Sequence, residues 1–211
     1  MPFLNCIIDL SHHNSVTDLA AAKAAGISNI IHKATEGASY VDGTYPDRRA
    51  AAQAQQIAWG CYHFGLANNI PQQVDHFLNH ANPGPADLIA LDWEPSSDGP
   101  VMQLSEAEQF VQLVHDKTGR WPVLYSGTYF LGQQLTAAKA ESPLFKCRLW
   151  LAQYSPQPPQ PPGQFKLPLM WQYTDGSKGN PPHAVPGIGL CDRDIFISDD
   201  NGLSAWWPGS P

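Results

Sequence analysis

The sequence predicts an α/β protein, a single modified TIM-like barrel with about five βα units followed by about three strands. Short, β-rich apolar runs alternate with helical patterns over the first part of the chain, which is typical of βα units around a parallel sheet. After Tyr154 the connections are too short, or too rich in glycine and proline, to form helices. The strands are expected at 3–10, 28–34, 58–64, 88–94, 122–126, 149–154, 169–173 and 194–197.

Helical patterns fill most of the intervals between the early strands. The helix before the fifth strand opens with Ser105, and Glu108 three residues later fits a capping box, in which each side chain accepts from the other residue's amide. The helices are expected at 16–25, 48–56, 71–81 and 105–117, with a shorter one at 129–140.

The run from Ser155 to Gly163 contains five prolines and cannot be helical. An interdomain linker is the alternative for such a run, but only about 50 strand-like residues follow it, too few for a comfortable independent domain. We therefore expect one catalytic domain over residues 1–211.

Composition excludes several classes of protein. The net charge of −7 and the absence of a Lys/Arg run argue against a nucleic-acid partner, since phosphate binding needs a basic face. No apolar stretch approaches the roughly 20 residues that cross a bilayer. The segment from Met1 to Cys6 has no basic region, so no secretory signal is expected, and on that ground Cys6, Cys61, Cys147 and Cys191 are expected as thiols rather than disulfides.

Acidic residues stand where barrel active sites lie, at the carboxyl ends of the strands. Asp9 ends the first strand, Asp92 and Glu94 end the fourth, and Asp192 and Asp194 enter the last. Asp92 and Glu94 are two apart, so they share one face with Cα atoms about 6.6 Å apart. Two carboxylates on one low-dielectric wall repel each other, which should raise the pKa of one of them. A protonated acid beside an ionised one is what glycoside hydrolysis needs.

Six short motifs then occur in order along the chain. They are Asp9-Leu10-Ser11, Lys33-Ala34-Thr35-Glu36-Gly37, Gly60-Cys61-Tyr62-His63-Phe64, Leu91-Asp92-Trp93-Glu94, Trp150-Leu151-Ala152-Gln153-Tyr154 and Trp171-Gln172-Tyr173. Together they resemble glycoside hydrolase family 25, the Chalaropsis-type lysozymes or N-acetylmuramidases, from about Phe3 to Phe196.

The resemblance implies hydrolysis of the β-1,4 bond between N-acetylmuramic acid and N-acetylglucosamine in peptidoglycan, with no cofactor. Glu94 would be the general acid/base, Asp92 would orient the substrate acetamido group or stabilise charge, and Asp9 would assist. Asp192 matches the family's last-strand acid, whereas Asp194 stands where the family usually has asparagine, so the assignment between these two stays open. The resemblance favours an acetamido-assisted route, an exception to the two-carboxylate scheme.

Aromatic and amide side chains near the strand ends are candidates for sugar binding, because apolar sugar faces stack on rings and hydroxyls bond to amides. Tyr62 and Tyr125 are the preferred rings, and Trp171 is a further one. Gln172 is the candidate amide, and Glu36 a candidate acid at the rim of the site. Trp206 and Trp207 are expected to cover a hydrophobic patch instead.

Two other functions remain open. His12, His13, His32 and His63 lie near strands that carry the acids, and His/Asp sites in barrels bind zinc, so a metal-dependent hydrolase is an alternative. A barrel that binds peptidoglycan without turnover is the other. In each case we expect a monomer that acts on the cell wall outside the inner membrane, released at lysis or exported without a signal. It could be a phage endolysin, an autolysin or an interbacterial effector.

Overall fold

The computed structural model describes residues 3–96, 99–167 and 169–208, with only the backbone of Asp200. Met1 and Pro2, which enter the argument about a secretory signal, lie outside these residues. The strands described are β1 (Leu4–Leu10), β2 (Asn29–Glu36), β3 (Tyr40–Val41), β4 (Ala58–Phe64), β5 (Leu88–Asp92), β6 (Val123–Gly127), β7 (Arg148–Ala152), β8 (Met170–Thr174), β9 (Ala184–Val185), β10 (Gly189–Leu190) and β11 (Asp192–Phe196).

Eight of these strands close into a barrel in the order β1, β2, β4, β5, β6, β7, β8, β11, and β11 pairs again with β1. Neighbours run parallel except at β11, which is antiparallel to both β8 and β1. The predicted barrel is therefore confirmed, and each of the eight expected strands has a counterpart. The reversed direction of β11, the short β3 and the β9–β10 hairpin have no counterpart in the sequence prediction.

Helices follow the first five barrel strands, as predicted. They are α1 (Leu19–Ala24), α2 (Tyr45–Ala54), α3 (Ile70–Ala81), α4 (Leu104–Thr118) and α5 (Thr128–Gln134), with 3-10 turns at Leu135–Ala137 and Pro143–Lys146 and a last helix, α6 (Asp200–Trp206). The capping box expected at Ser105 is wrong. Helix α4 begins one residue earlier, and the Glu106 carboxylate accepts from the Gln103 amide (2.8 Å).

Two separate apolar layers hold the barrel together. Alternate strand residues such as Ile7, Ile31 and Val123 fill the interior, and their neighbours pack against the surrounding helices. Both layers exclude water, so the strands read as nearly continuous apolar runs. This explains why they stand out in the sequence.

Helix α6 closes the end of the barrel opposite the carboxyl ends of the parallel strands. Its Leu203, Trp206 and the following Trp207 pack against the interior layer, and the Trp207 indole donates to the Trp59 carbonyl (3.1 Å). The expectation that the two tryptophans cover a hydrophobic patch is confirmed. The helix itself was not expected, because it spans only two turns of mixed sequence.

The proline-rich run lies between two strands of the same barrel. Strands β7 and β8, on either side of it, pair directly, and the described residues between Ala152 and Met170 form neither helix nor strand. All four cysteines are described, and none forms a disulfide with another, as expected. Among the described residues, no helix is both long and apolar enough to cross a bilayer.

Candidate active site

A cavity of about 190 Å³ opens at the carboxyl ends of the parallel strands. Its walls are acidic and aromatic: Asp9, Tyr62, Asp92, Glu94, Tyr125, Trp150, Tyr154, Gln172 and Asp192. A larger cavity of about 680 Å³ lies at the opposite end, between Arg148 and Trp206, and no acid is among its described lining residues. The acids predicted to carry the chemistry therefore lie in the smaller cavity.

The direction of β11 brings the last-strand acids to this end. Because β11 runs against β1, its first residue, Asp192, pairs with Asp9 near the end of β1. Strand β11 begins two residues earlier than predicted, so both Asp192 and Asp194 lie on it. Asp192 lines the cavity, whereas Asp194 lies one step deeper and is fully buried.

Asp92 and Glu94 form one wall of the cavity. The strand ends at Asp92, and Glu94 follows in a bend, yet both side chains face the same space, as their spacing predicts. Burial and the neighbouring Glu94 raise the pKa of Asp92 well above its ordinary value. Burial also raises the pKa of Glu94, against the opposing effect of Lys33. This pair of carboxyls therefore retains a proton at a pH where exposed acids have lost theirs.

The opposite wall holds a second group of acids. Burial, followed by the charges of Asp192 and Asp194, raises the pKa of Asp9 well above its usual range. Burial raises the pKa of Asp192 to about 7 and that of Asp194 to about 8. The Trp150 indole donates to Oδ1 of Asp194 (2.7 Å). Asp9 and Asp192 are thus crowded together in this wall of the cavity, with Asp194 buried beneath them.

Gln172 connects the aromatic side chains to this group. Its Oε1 accepts from the hydroxyls of Tyr125 (2.9 Å) and Tyr154 (2.8 Å), and its Nε2 donates to Oδ2 of Asp9 (2.9 Å). With both ends of the amide occupied, the orientation of Gln172 is fixed. The network holds two phenols and one carboxyl in place around the cavity.

Lys33 is a charged neighbour of the site that the motif reading did not assign a role. It lies on β2, pairs with Glu36 (Nζ–Oε2 2.5 Å) and opposes the rise in the pKa values of Asp92 and Glu94. The sequence already indicated a charged residue inside the barrel, because Lys33 is two residues after Ile31 and its side chain therefore faces the interior. A lysine is rarely buried there without a partner. Glu36 contacts Lys33 in this ion pair, but it is not among the residues that line the cavity.

Several other candidates lie away from the cavity. Trp171 points to the outer face of β8, where its indole donates to the Gln153 carbonyl (2.8 Å), so it cannot serve as a sugar platform inside the cavity. His32 and His63 also face the helices. His32 bonds the Lys33 carbonyl and Arg48, and His63 bonds Thr35 and Gln73. Burial lowers the pKa of His32 to about 4 and that of His63 to about 3, so both are neutral core side chains.

Paired carboxyls with raised pKa values, set among aromatic rings at the carboxyl end of a β/α barrel, define a glycoside hydrolase. The family model for glycosyl hydrolases family 25 matches residues 8–180, and the chain belongs to that family.

Curated relatives agree with the assignment. The chain is 28% identical over 192 residues to the autolytic lysozyme of Clostridium acetobutylicum, covering 90% of this chain and 55% of the relative. It thus spans little more than half the length of that protein. It is also 26% identical over 186 residues to an N,O-diacetylmuramidase of Chalaropsis sp, covering 79% and 86% of the two chains.

Solved structures show the same fold. The family GH25 lysozyme from Aspergillus fumigatus superposes with a TM-score of 0.81 at 26% identity, covering 100% of both chains. The muramidase from Acremonium alcalophilum gives a TM-score of 0.80 at 27% identity, covering 96% of this chain and 98% of the other.

Proposed function

We propose that this protein is a muramidase that hydrolyses the β-1,4 bond between N-acetylmuramic acid and N-acetylglucosamine in peptidoglycan. The observation that carries the proposal is the meeting of Asp92 and Glu94 with Asp9 and Asp192 in one cavity. Family membership and the muramidase relatives supply the substrate class. We further propose that one domain over residues 1–211 carries the activity, acting on the cell wall as a monomer.

Glu94 is assigned as the general acid/base. It lies beyond the end of β5 at the cavity wall, where a glycosidic oxygen can reach its carboxyl, and burial raises its pKa toward the working range of an acid catalyst. Lys33 opposes that rise, so the same carboxyl can remain ionised after it has given up its proton. A catalyst that must first donate and then accept a proton needs such an intermediate pKa.

Asp92 is assigned to the substrate acetamido group. Its Oδ1 is buried and has no hydrogen-bond partner among the described residues, so it is available to an N–H donor. A buried acceptor left unpaired costs free energy, and a bound amide would remove that cost. Positioning the acetamido group in this way suits an acetamido-assisted route, with Asp9 and Asp192 stabilising the positive charge that develops on the sugar.

The products of digestion test the bond specificity. Purified protein acting on defined peptidoglycan should release fragments that end in reducing N-acetylmuramic acid, identified by borohydride reduction and mass spectrometry. Reducing N-acetylglucosamine ends, or cleaved peptide stems with intact glycan, would contradict the proposed specificity.

Chelation tests the alternative of a metal-dependent hydrolase. Carboxyl acid/base chemistry at a glycosidic bond needs no Lewis acid, so the rate should be unchanged after exhaustive dialysis against EDTA. A rate that disappears on dialysis and returns with added zinc would instead assign the chemistry to a metal.

A further inference from the structure

The cavity is too small to hold more than a short piece of a glycan. At about 190 Å³ it lies below the range of roughly 300–1,000 Å³ that encloses a drug-sized ligand. If the proposed function is correct, the substrate is a polymer, and the sugars beyond the cleaved bond must lie on the rim. The inference below rests on that function.

One part of the rim carries ordered aromatic side chains that the proposed mechanism does not use. His12 and His13 follow β1 after Ser11, and Tyr40 lies on β3, beside the end of β2. The rings of His12 and His13 are 3.8 Å apart between centroids, and those of His12 and Tyr40 are 6.0 Å apart. We call these three residues the rim strip. It lies at the same end of the barrel as the cavity.

The rim strip is continuous with the catalytic acids through Lys33. The Lys33 ammonium lies 5.4 Å from the centre of the Tyr40 ring, and the same ammonium shifts the pKa values of Asp92 and Glu94. Lys33 therefore lies between the acids of the cavity and Tyr40, and His12 adjoins Tyr40.

A buried carboxylate fixes the strip from below. Asp42 is fully buried, and its Oδ2 accepts from the His12 amide (2.7 Å) and faces His12 Nδ1 (3.3 Å). Burial by itself raises the pKa of Asp42, but hydrogen bonds from Thr44 and His12 lower it below its ordinary value, so the carboxyl stays ionised. Asp42 and the Tyr40 hydroxyl both contact His12 through Nδ1, so Nε2 is the ring atom left for a ligand.

Further contacts hold the loop that carries His12 and His13. The Arg48 guanidinium donates to the carbonyls of Ser11 and Asn14 (both 2.6 Å), and the Tyr40 hydroxyl meets His12 Nδ1 (3.0 Å). The outer surfaces nevertheless remain open, because the side chain of His12 and the residue Tyr40 are each 39% exposed. Rings that are held rigidly yet face solvent are pre-organised for a ligand, since little further entropy is lost on binding.

We propose that the rim strip is a sugar-binding subsite, which takes one sugar ring of the glycan backbone adjacent to the cleavage cavity. The apolar face of the sugar stacks on Tyr40 and the paired imidazoles, and a sugar hydroxyl bonds to His12 Nε2. Exposed aromatic rings with a fixed polar edge are the usual means of binding such amphipathic surfaces.

Chain length provides the test. Wild type, Tyr40→Ala and His12→Ala are compared on peptide-free oligomers of alternating N-acetylglucosamine and N-acetylmuramic acid, a tetrasaccharide and an octasaccharide. The ratio of kcat/KM for the long over the short substrate should fall by about tenfold in each variant, the size of one lost stacking contact. Phe3→Ala, which removes an exposed ring at the opposite end of the barrel, is the matched control and should leave the ratio unchanged.

The same subsite is measured without turnover by calorimetry of octasaccharide binding to Glu94→Gln protein, with and without Tyr40→Ala. If the wild-type protein cleaves no glycan, the proposed function is wrong. The difference in octasaccharide binding with and without Tyr40→Ala still shows whether the rim strip binds sugar. Equal losses on both substrate lengths, or an unchanged ratio with unchanged binding, would each overturn the inference.

Discussion

Replacing Glu94 by glutamine should reduce turnover at least about 100-fold while leaving the fold and glycan binding nearly intact. Glutamine keeps the shape and hydrogen-bonding size of the side chain but cannot donate the proton that the leaving oxygen needs. The measurement is kcat on soluble peptidoglycan fragments, with circular dichroism and glycan binding as checks on folding. Glu141→Gln, at an exposed turn, is the matched control and should retain the wild-type rate.

The pH profile separates Glu94 from its neighbours. Burial holds the pKa values of Asp92 and Glu94 above ordinary values, so the basic limb of wild type should lie above the ordinary glutamate value of about 4.3. Asp92→Asn and Asp9→Asn should lower the rate but keep a basic limb, since the acid that loses its proton is still present. A folded Glu94→Gln protein with near wild-type rates would show that the acid is Asp92 or Asp192.

Replacing Asp194 by asparagine should stabilise the protein by about 1–3 kcal/mol near pH 7.5. Burial raises the pKa of Asp194 to about 8, so the folded protein must either hold a proton there or bury a charge beside Asp9 and Asp192. Asparagine removes that cost while its amide oxygen can still accept from the Trp150 indole.

The gain should depend on pH in a defined direction. An aspartate whose pKa is higher in the folded state than the ordinary 3.8 contributes stability below pH 3.8, and that contribution is lost as the pH rises toward 8. The difference between variant and wild type should thus be near zero at pH 3.5 and grow up to about pH 8, as measured by urea unfolding. Glu141→Gln, at an exposed turn, should change the free energy of unfolding by less than about 0.5 kcal/mol at either pH. A gain for Asp194→Asn that is equal at both values would show that Asp194 carries no such cost.

Much of the candidate site followed from local rules. The spacing of Asp92 and Glu94 placed both side chains on one wall, because side chains alternate along a strand. The position of Asp9 at the end of an apolar run placed it at the same end of the barrel. Trp171 shows that a position near a strand end is not sufficient. Its neighbour Gln172 faces the cavity, so the Trp171 indole points the other way, to the helices.

Other features depend on partners far away in the chain. Asp42 was not singled out, since nothing near it in the sequence shows that it is buried under His12, 30 residues earlier. Lys33 likewise acquires its effect on Glu94 only because a single strand, β4, separates β2 from β5 in the barrel. Such contacts are set by strand order and register, which a local pattern does not encode.

The sequence by itself determined the βα alternation, the eight barrel strands and the carboxyl pair of β5, because these depend on apolar periodicity and spacing within single elements. Only the tertiary structure decided the positions of the two last-strand acids. Since β11 runs antiparallel to β1, Asp192 faces the cavity beside Asp9, and Asp194 is buried beneath it against Trp150. Strand direction follows from how the whole barrel closes, where the β9–β10 hairpin between β8 and β11 takes the place of a crossover helix.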